Sequence, residues 1–153
     1  MAEPDEVRRL VAAYELRSSY GSEPHFDAIR ALGAEVVPYF LEAYPGAGRW
    51  QQRASFLYAS IRHARTCPAA VELAVLALGD RSSEVRYRAC MLLAVSLDRA
   101  ALPSLRDARI DTDDETRGHI DATIDAIEHG NPDWFVDRDH SGKIHLNVEQ
   151  VTG

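Results

Sequence analysis

Asp80–Leu97, DRSSEVRYRACMLLAVSL, is the stretch whose reading decides the architecture. It opens on Asp80-Arg81, offers Ser82 and Ser83 as N-caps, and places Glu84 in the first turn, where a carboxylate complements the helix dipole. From Ala89 to Val95 it is apolar on every side, with no Gly or Pro. A helix apolar all round has to be covered all round, so this one is predicted to lie at the centre of the fold. Its opening recurs. Thirty-one residues after Asp80…Val85-Arg86 the chain reads Asp111…Thr116-Arg117, again at the head of a long helix. A fixed spacing that repeats with the same chemistry predicts stacked helix pairs.

Working outward, helical periodicity runs from Glu3 to Ser18 through Val7, Leu10, Val11, Tyr14 and Leu16. A turn at 20–24 follows, then a short helix with Phe26, Ile29 and Leu32 inward and Gly33 as C-cap. Val36–Tyr44 reads as a helix with Pro38 in its first turn, ended by Pro45-Gly46-Ala47-Gly48. Arg49–Arg65 is a long helix with Trp50, Ala54, Leu57, Ile61 and Ala64 inward, its stripe widened by Phe56 and Tyr58. Pro68–Leu78 precedes the central helix. A shorter helix spans Arg99–Ala108, and Thr112–His129 turns Ile120, Ile124 and Ile127 inward, with Gly130 at C′. The expected class is all-α, residues 1–130, with no linker long enough to divide domains.

Three segments align as a shorter helix, a polar turn and a longer helix: Val36–Arg65, Ala69–Leu97 and Leu102–Glu128. The last carries Pro103, Asp111, Thr116 and Arg117. The middle one keeps Asp80, Val85 and Arg86 but has Glu72 where a proline would fall. The first has Pro38, Trp50 and Arg53 and lacks the Asp. Over roughly residues 33–130 the pattern resembles the HEAT repeat and its relatives. The resemblance implies a short right-handed α-solenoid. It further implies that Pro103 bends its helix and that Asp80, Arg86, Asp111 and Arg117 form a polar ladder between repeats. Such a curved slab presents a concave binding face.

Residues 131–153, NPDWFVDRDHSGKIHLNVEQVTG, change texture. Trp134 and Val136, then Ile144, Leu146 and Val148, alternate with polar residues around a turn at 139–142. That pattern fits a β-hairpin or an irregular cap on the last repeat, within the same domain. A second reading is a calcium loop. Asp137-x-Asp139-x-Ser141-Gly142-x-Ile144 follows the first eight positions of an EF-hand loop, but position twelve is Val148 and Glu149 stands one residue late.

Charge narrows the partners. The net −7 is unevenly placed: residues 107–153 hold 12 acids and 4 bases, whereas residues 1–106 hold 12 acids and 13 bases. An acidic C-terminal third disfavours nucleic acid, whose phosphates need a basic face, and permits a basic protein. Asp114, Asp121, Asp125 and Glu128 share one face of the last helix and are the candidate partner-binding residues, with Trp134 or Trp50 as an aromatic anchor. Core packing is the competing role for both tryptophans, and the favoured one for Trp50.

The six histidines show no zinc-type pairing with one another or with Cys67 and Cys90, and no nucleophile elbow or phosphate loop is present. Cys90 reads as an inert core thiol. The N-terminal MAEPDEVRR lacks the features of a signal peptide and no apolar run is long enough for a bilayer, so a cytoplasmic location is expected. Sixteen arginines against one lysine fit a GC-rich bacterial genome. The resemblance and the acidic third together lead to a non-catalytic bacterial immunity or adaptor protein that binds a basic protein. An enzyme or ligand-binding protein using the concave groove, without a firm cofactor, stays open, as does a peptide-binding scaffold.

Overall fold

The computed structural model describes residues 2–15 and 24–148. The chain is all-α: among these residues no strand forms. The helices are α1 (Pro4–Ala13), α2 (Pro24–Leu32), α3 (Val37–Ala43), α4 (Trp50–Ser60), α5 (Pro68–Ala77), α6 (Ser83–Ser96), α7 (Leu102–Ala108) and α8 (Asp114–Glu128). None is long and apolar enough to cross a membrane. The first helix stops earlier than its periodicity predicts, because Tyr14 turns extended at the C-cap. Residues 16–18 of that expected helix, and the expected turn at 20–24 up to Glu23, lie outside the described residues.

The central stretch behaves as its composition demands. Ser82 caps α6 by accepting from the Val85 N–H, and Val85, Ala89, Cys90 and Leu92–Ser96 are buried. The helix is covered by α5 and α4 on one side and by α8 on another, with the 3-10 turn Pro132–Phe135 closing a further face. A second row of contacts runs α1–α3–α5, and α7 leans on α8. Phe40 and Phe56 stack at 4.9 Å where α3 meets α4, with Tyr14 against Phe40 at 5.9 Å. Burial of such rings supplies the hydrophobic stabilisation of the N-terminal half.

Pro38 and Pro103 occupy equivalent places. Each sits within the first two residues of its helix, directly after a 3-10 turn (Gly33–Val36 and Arg99–Ala101). The proline lacks an N–H that a helix start does not use, so it marks the change from 3-10 to α geometry rather than a bend inside a helix.

Polar contacts join the turns between helices, and their members differ from those expected of the ladder. Asp80 receives a two-pronged pair from Arg53 (2.8 and 3.0 Å), the Tyr44 hydroxyl, and the Ser82 N–H at 2.8 Å. Arg53 also donates to the Ala47 carbonyl at 3.0 Å. At the next interhelical turn Arg86 donates to the Asp80 carbonyl (2.7 Å), the Thr116 hydroxyl (3.0 Å) and Asp113 (2.9 Å). Arg117 closes the series on the carbonyls of Arg109 and Thr112, at 3.0 and 2.9 Å. The rung expected of Asp111 is therefore taken by Asp113, which also caps α8 through the Thr116 N–H, and Asp111 is exposed. Arg53 takes part although no acid stands in the turn before α4, because it uses Asp80 in the turn before α6.

The side chains of Arg53 and Asp80 are 6 % and 5 % exposed, so the pair is desolvated. Burial pushes the Asp80 carboxyl up, but Arg53, Tyr44 and the Ser82 N–H together hold it below the ordinary value. Burial and then Asp80 push the Tyr44 hydroxyl the other way. A carboxyl lowered by folding contributes stability that is complete above its unfolded value near 3.8 and is lost as pH falls through the folded one. Asp80→Asn should leave the Arg53 charge buried and uncompensated, lowering stability by about 3–5 kcal/mol in urea unfolding at pH 7. The deficit relative to wild type should narrow below pH 4.

Candidate functional site: the acidic groove of the last helix

Asp113 starts α8, and Ile120, Ala126 and Ile127 bury its inner face. Asp114, Asp121, Asp125 and Glu128 follow at spacings of seven, four and three, which keeps them on one outward face. Asp121, Asp125 and Glu128 line an open groove, with Ala122 and Ile124 along it and Trp134 as a wall. Asp114 lies outside this groove, exposed at the head of the helix. The structure thus gathers four of the five expected partner-binding residues in one place.

The face is less bare than its sequence implies. Arg109 holds Asp121 with two bonds, 2.7 and 3.2 Å, and Arg106 reaches Glu128 at 3.3 Å. Arg106 lies in α7 and Arg109 is its C-cap. Arg117 pairs with Asp114 at 2.9 Å within the helix. Asp125 meets His140 Nε2 at 2.6 Å and His129 Nδ1 at 3.1 Å. These contacts are solvent-exposed and weak against water and salt, so a partner's cations can displace them.

Trp134 is half-buried. Its ring stacks on His140 with centroids 3.7 Å apart and planes 13° from parallel, and His129 lies at 4.8 Å. His140 has a left-handed backbone, φ 54°, and is held there by Asp125 and Trp134. Trp50, expected in the core, is 43 % exposed: as the first residue of α4 it lines an open surface depression with Gly48, Arg81 and Ser83. Tyr58 is also exposed, with the Arg88 guanidinium 5.4 Å over its ring.

Residues 131–148 pack as an irregular segment in place of the expected hairpin, and residues 149–153 lie outside the described residues. Two aspartates organise this segment. Asp133 accepts from the Leu146 N–H and meets His145 Nδ1, each at 2.9 Å, which ties the chain end back to the 3-10 turn. Asp137, 1 % exposed, accepts from the Ser141 hydroxyl (2.7 Å), the Ser141 N–H (3.0 Å) and the Gly142 N–H (2.7 Å). Such self-bonding favours a compact turn over a pair of strands. Both Asp137 oxygens are engaged, the Ser141 hydroxyl takes the Lys143 N–H, and Asp139 is exposed. Among the described residues no group of three or more His, Cys, Asp or Glu is placed to hold a metal ion.

His119 was missed from sequence. It sits against Tyr87 (4.9 Å) and Phe135 (6.4 Å), and its Nδ1 accepts from the Arg138 guanidinium at 2.9 Å. Burial, then Arg138, lowers its pKa, which agrees with an imidazole that accepts a bond from a cation. Cys90 is a core thiol pushed up to about 12 by burial, too high for a nucleophile. Cys67 stands at the N-cap position of α5 without making a capping bond.

Asp137→Ala should free the amides of Ser141 and Gly142, raising their hydrogen-exchange rates by about tenfold or more while those of α6 stay protected. Millimolar calcium should leave the melting temperature of the wild type unchanged. His119, lowered on folding, contributes stability that is complete above its unfolded value of 6.5 and is lost as pH falls through the folded one. His119→Gln keeps an acceptor for Arg138 and does not titrate. The stability lost between pH 7 and pH 5 should therefore shrink in that variant, with the remainder carried partly by His63, which burial also lowers.

No family model, curated protein or solved structure matches this chain.

Proposed function

We propose that the chain is a HEAT-like helical-repeat protein that binds a basic protein partner, without catalysis, through the outer face of α8. Three successive helix pairs, α3/α4, α5/α6 and α7/α8, support the repeat reading. So does a ladder in which Arg53 and Arg86 each reach an acid 27 residues ahead. On this reading the pairs form a short right-handed solenoid, with residues 131–148 capping its end. The observation that carries the binding role is the α8 groove: three carboxylates beside a half-buried tryptophan, in a third of the chain with 12 acids and 4 bases.

Chemically, the groove suits a lysine or arginine side chain. A partner's cation gains the Trp134 ring and a carboxylate that exchanges one exposed basic neighbour for another. The role assigned is that of a cytoplasmic bacterial immunity or adaptor protein, which occludes a basic surface and is steered to it by charge. Location and partner class are part of the same proposal.

The test is capture of partners on the tagged chain from its native lysate, followed by binding of the recovered protein at 50 and 300 mM salt. A basic protein held near one-to-one is expected, with affinity falling at least about tenfold over that range. Asp121→Lys with Asp114→Lys should release it while leaving the fold intact, since both side chains are exposed. Binding indifferent to salt and to these reversals would overturn the proposal.

A further inference from the structure

Trp134 is covered by a ring of its own chain. The His140 imidazole lies flat on it, with centroids 3.7 Å apart and planes 13° from parallel, and its Nε2–H donates to Asp125 Oδ2 at 2.6 Å. A flat group that stacks on an aromatic face and gives an edge N–H to a carboxylate copies the way an arginine guanidinium binds. A lysine ammonium has no plane with which to do the same. While His140 stays, that face of Trp134 and that oxygen of Asp125 are closed to a partner's cation.

The ring is held as a removable group. Asp121 and Glu128 are paired with Arg109 and Arg106, whereas Asp125 meets two histidines, His129 at 3.1 Å and His140. Arg138 also lines the groove, and its guanidinium is engaged by His119 Nδ1 and the Phe135 carbonyl, at 2.9 Å each. His140 is exposed, and its backbone is left-handed, φ 54°, a conformation uncommon outside glycine. The turn that carries it is fixed by bonds that do not use the imidazole. The His140 N–H donates to the Asp137 carbonyl at 3.0 Å, and the Asp137 carboxylate takes the amides of Ser141 and Gly142. Rotation about the side-chain bonds therefore frees Trp134 and Asp125 with the turn in place. We infer that His140 is a built-in occupant of the Trp134–Asp125 pair, displaced by an arginine side chain of the partner, so that the site selects arginine over lysine. This rests on the α8 groove being the binding face.

The full chain titrated with Nα-acetyl-arginine amide, and separately with Nα-acetyl-lysine amide, tests this at constant ionic strength. The readout is the His140 imidazole and Trp134 indole resonances. The arginine probe should saturate in the millimolar range and move the His140 resonances towards those of an unstacked histidine, as the Trp134 ring current is lost. The lysine probe should bind at least about threefold more weakly. His140→Gly keeps the left-handed turn and removes the occupant, so it should bind the arginine probe at least about threefold more tightly than wild type. Equal binding of the two probes, an arginine complex in which His140 stays stacked, or a His140→Gly affinity equal to wild type would overturn the inference. So would the lack of a saturable shift with either probe. The wild-type titration decides the first two points without the variant. The reading of the groove itself is judged separately, by the response of the captured partner to Asp114→Lys and Asp121→Lys, which leave Trp134, Asp125 and His140 in place.

Discussion

The arrangement of the helices depends on one buried pair, Arg53 with Asp80. Two desolvated charges are tolerated only where their geometry is good and their remaining bonding capacity is used. Here both conditions are met: the guanidinium grips the carboxylate with two bonds and spends a third on the Ala47 carbonyl, while the carboxylate also takes the Tyr44 hydroxyl and the Ser82 N–H. The pair thus ties the α3/α4 turn to the α5/α6 turn and fixes where α6 begins. Arg86 repeats the device between the α5/α6 and α7/α8 turns. Its Asp113 end is exposed, so the ladder weakens towards the C-terminus while hydrophobic contact between α6 and α8 takes over.

The C-terminal segment is held by different means. Phe135 is buried beside Tyr87 and His119, the Arg138 guanidinium lies 5.4 Å over its ring, and Asp133 and Asp137 bend the chain by accepting its own N–H groups. Local bonds of this kind stabilise a turn without a partner strand. They place Trp134 and His140 over the end of α8, and so complete one wall of the groove that the helix alone would leave open. Asp137, which resembles a metal ligand in the linear sequence, is thereby engaged as a loop organiser.

Much of this was legible beforehand. The all-α class, the burial of Ala89, Cys90 and Leu92–Val95, the three helix pairs and the shared face of Asp121, Asp125 and Glu128 follow from periodicity and capping residues. The ladder was half legible. The motif Asp80-to-Arg86 drew attention to the acid at the equivalent place, Asp111, whereas the acid used is Asp113, whose own signal is the N-cap spacing to Thr116. Arg53 was available too: it precedes Asp80 by the same 27 residues that separate Arg86 from Asp113. The alternation at 134–148 yields no strand among the described residues, because N–H groups there are taken by Asp133 and Asp137 rather than by a partner strand.

What the sequence by itself determined is which residues must be hidden and which turns must end helices, since hydrophobic periodicity, caps and prolines act within a few residues of chain. The tertiary structure alone decided how charge is distributed. Arg106 and Arg109 stand 22 and 12 residues from the acids they meet, and His140 stands 15 from Asp125. Whether an acidic stripe is bare or paired, and whether a histidine such as His63 is solvated or enclosed beside a cavity, depends on which helices lie alongside. Ionic contacts and cavities are properties of packing between segments, and no local pattern encodes them.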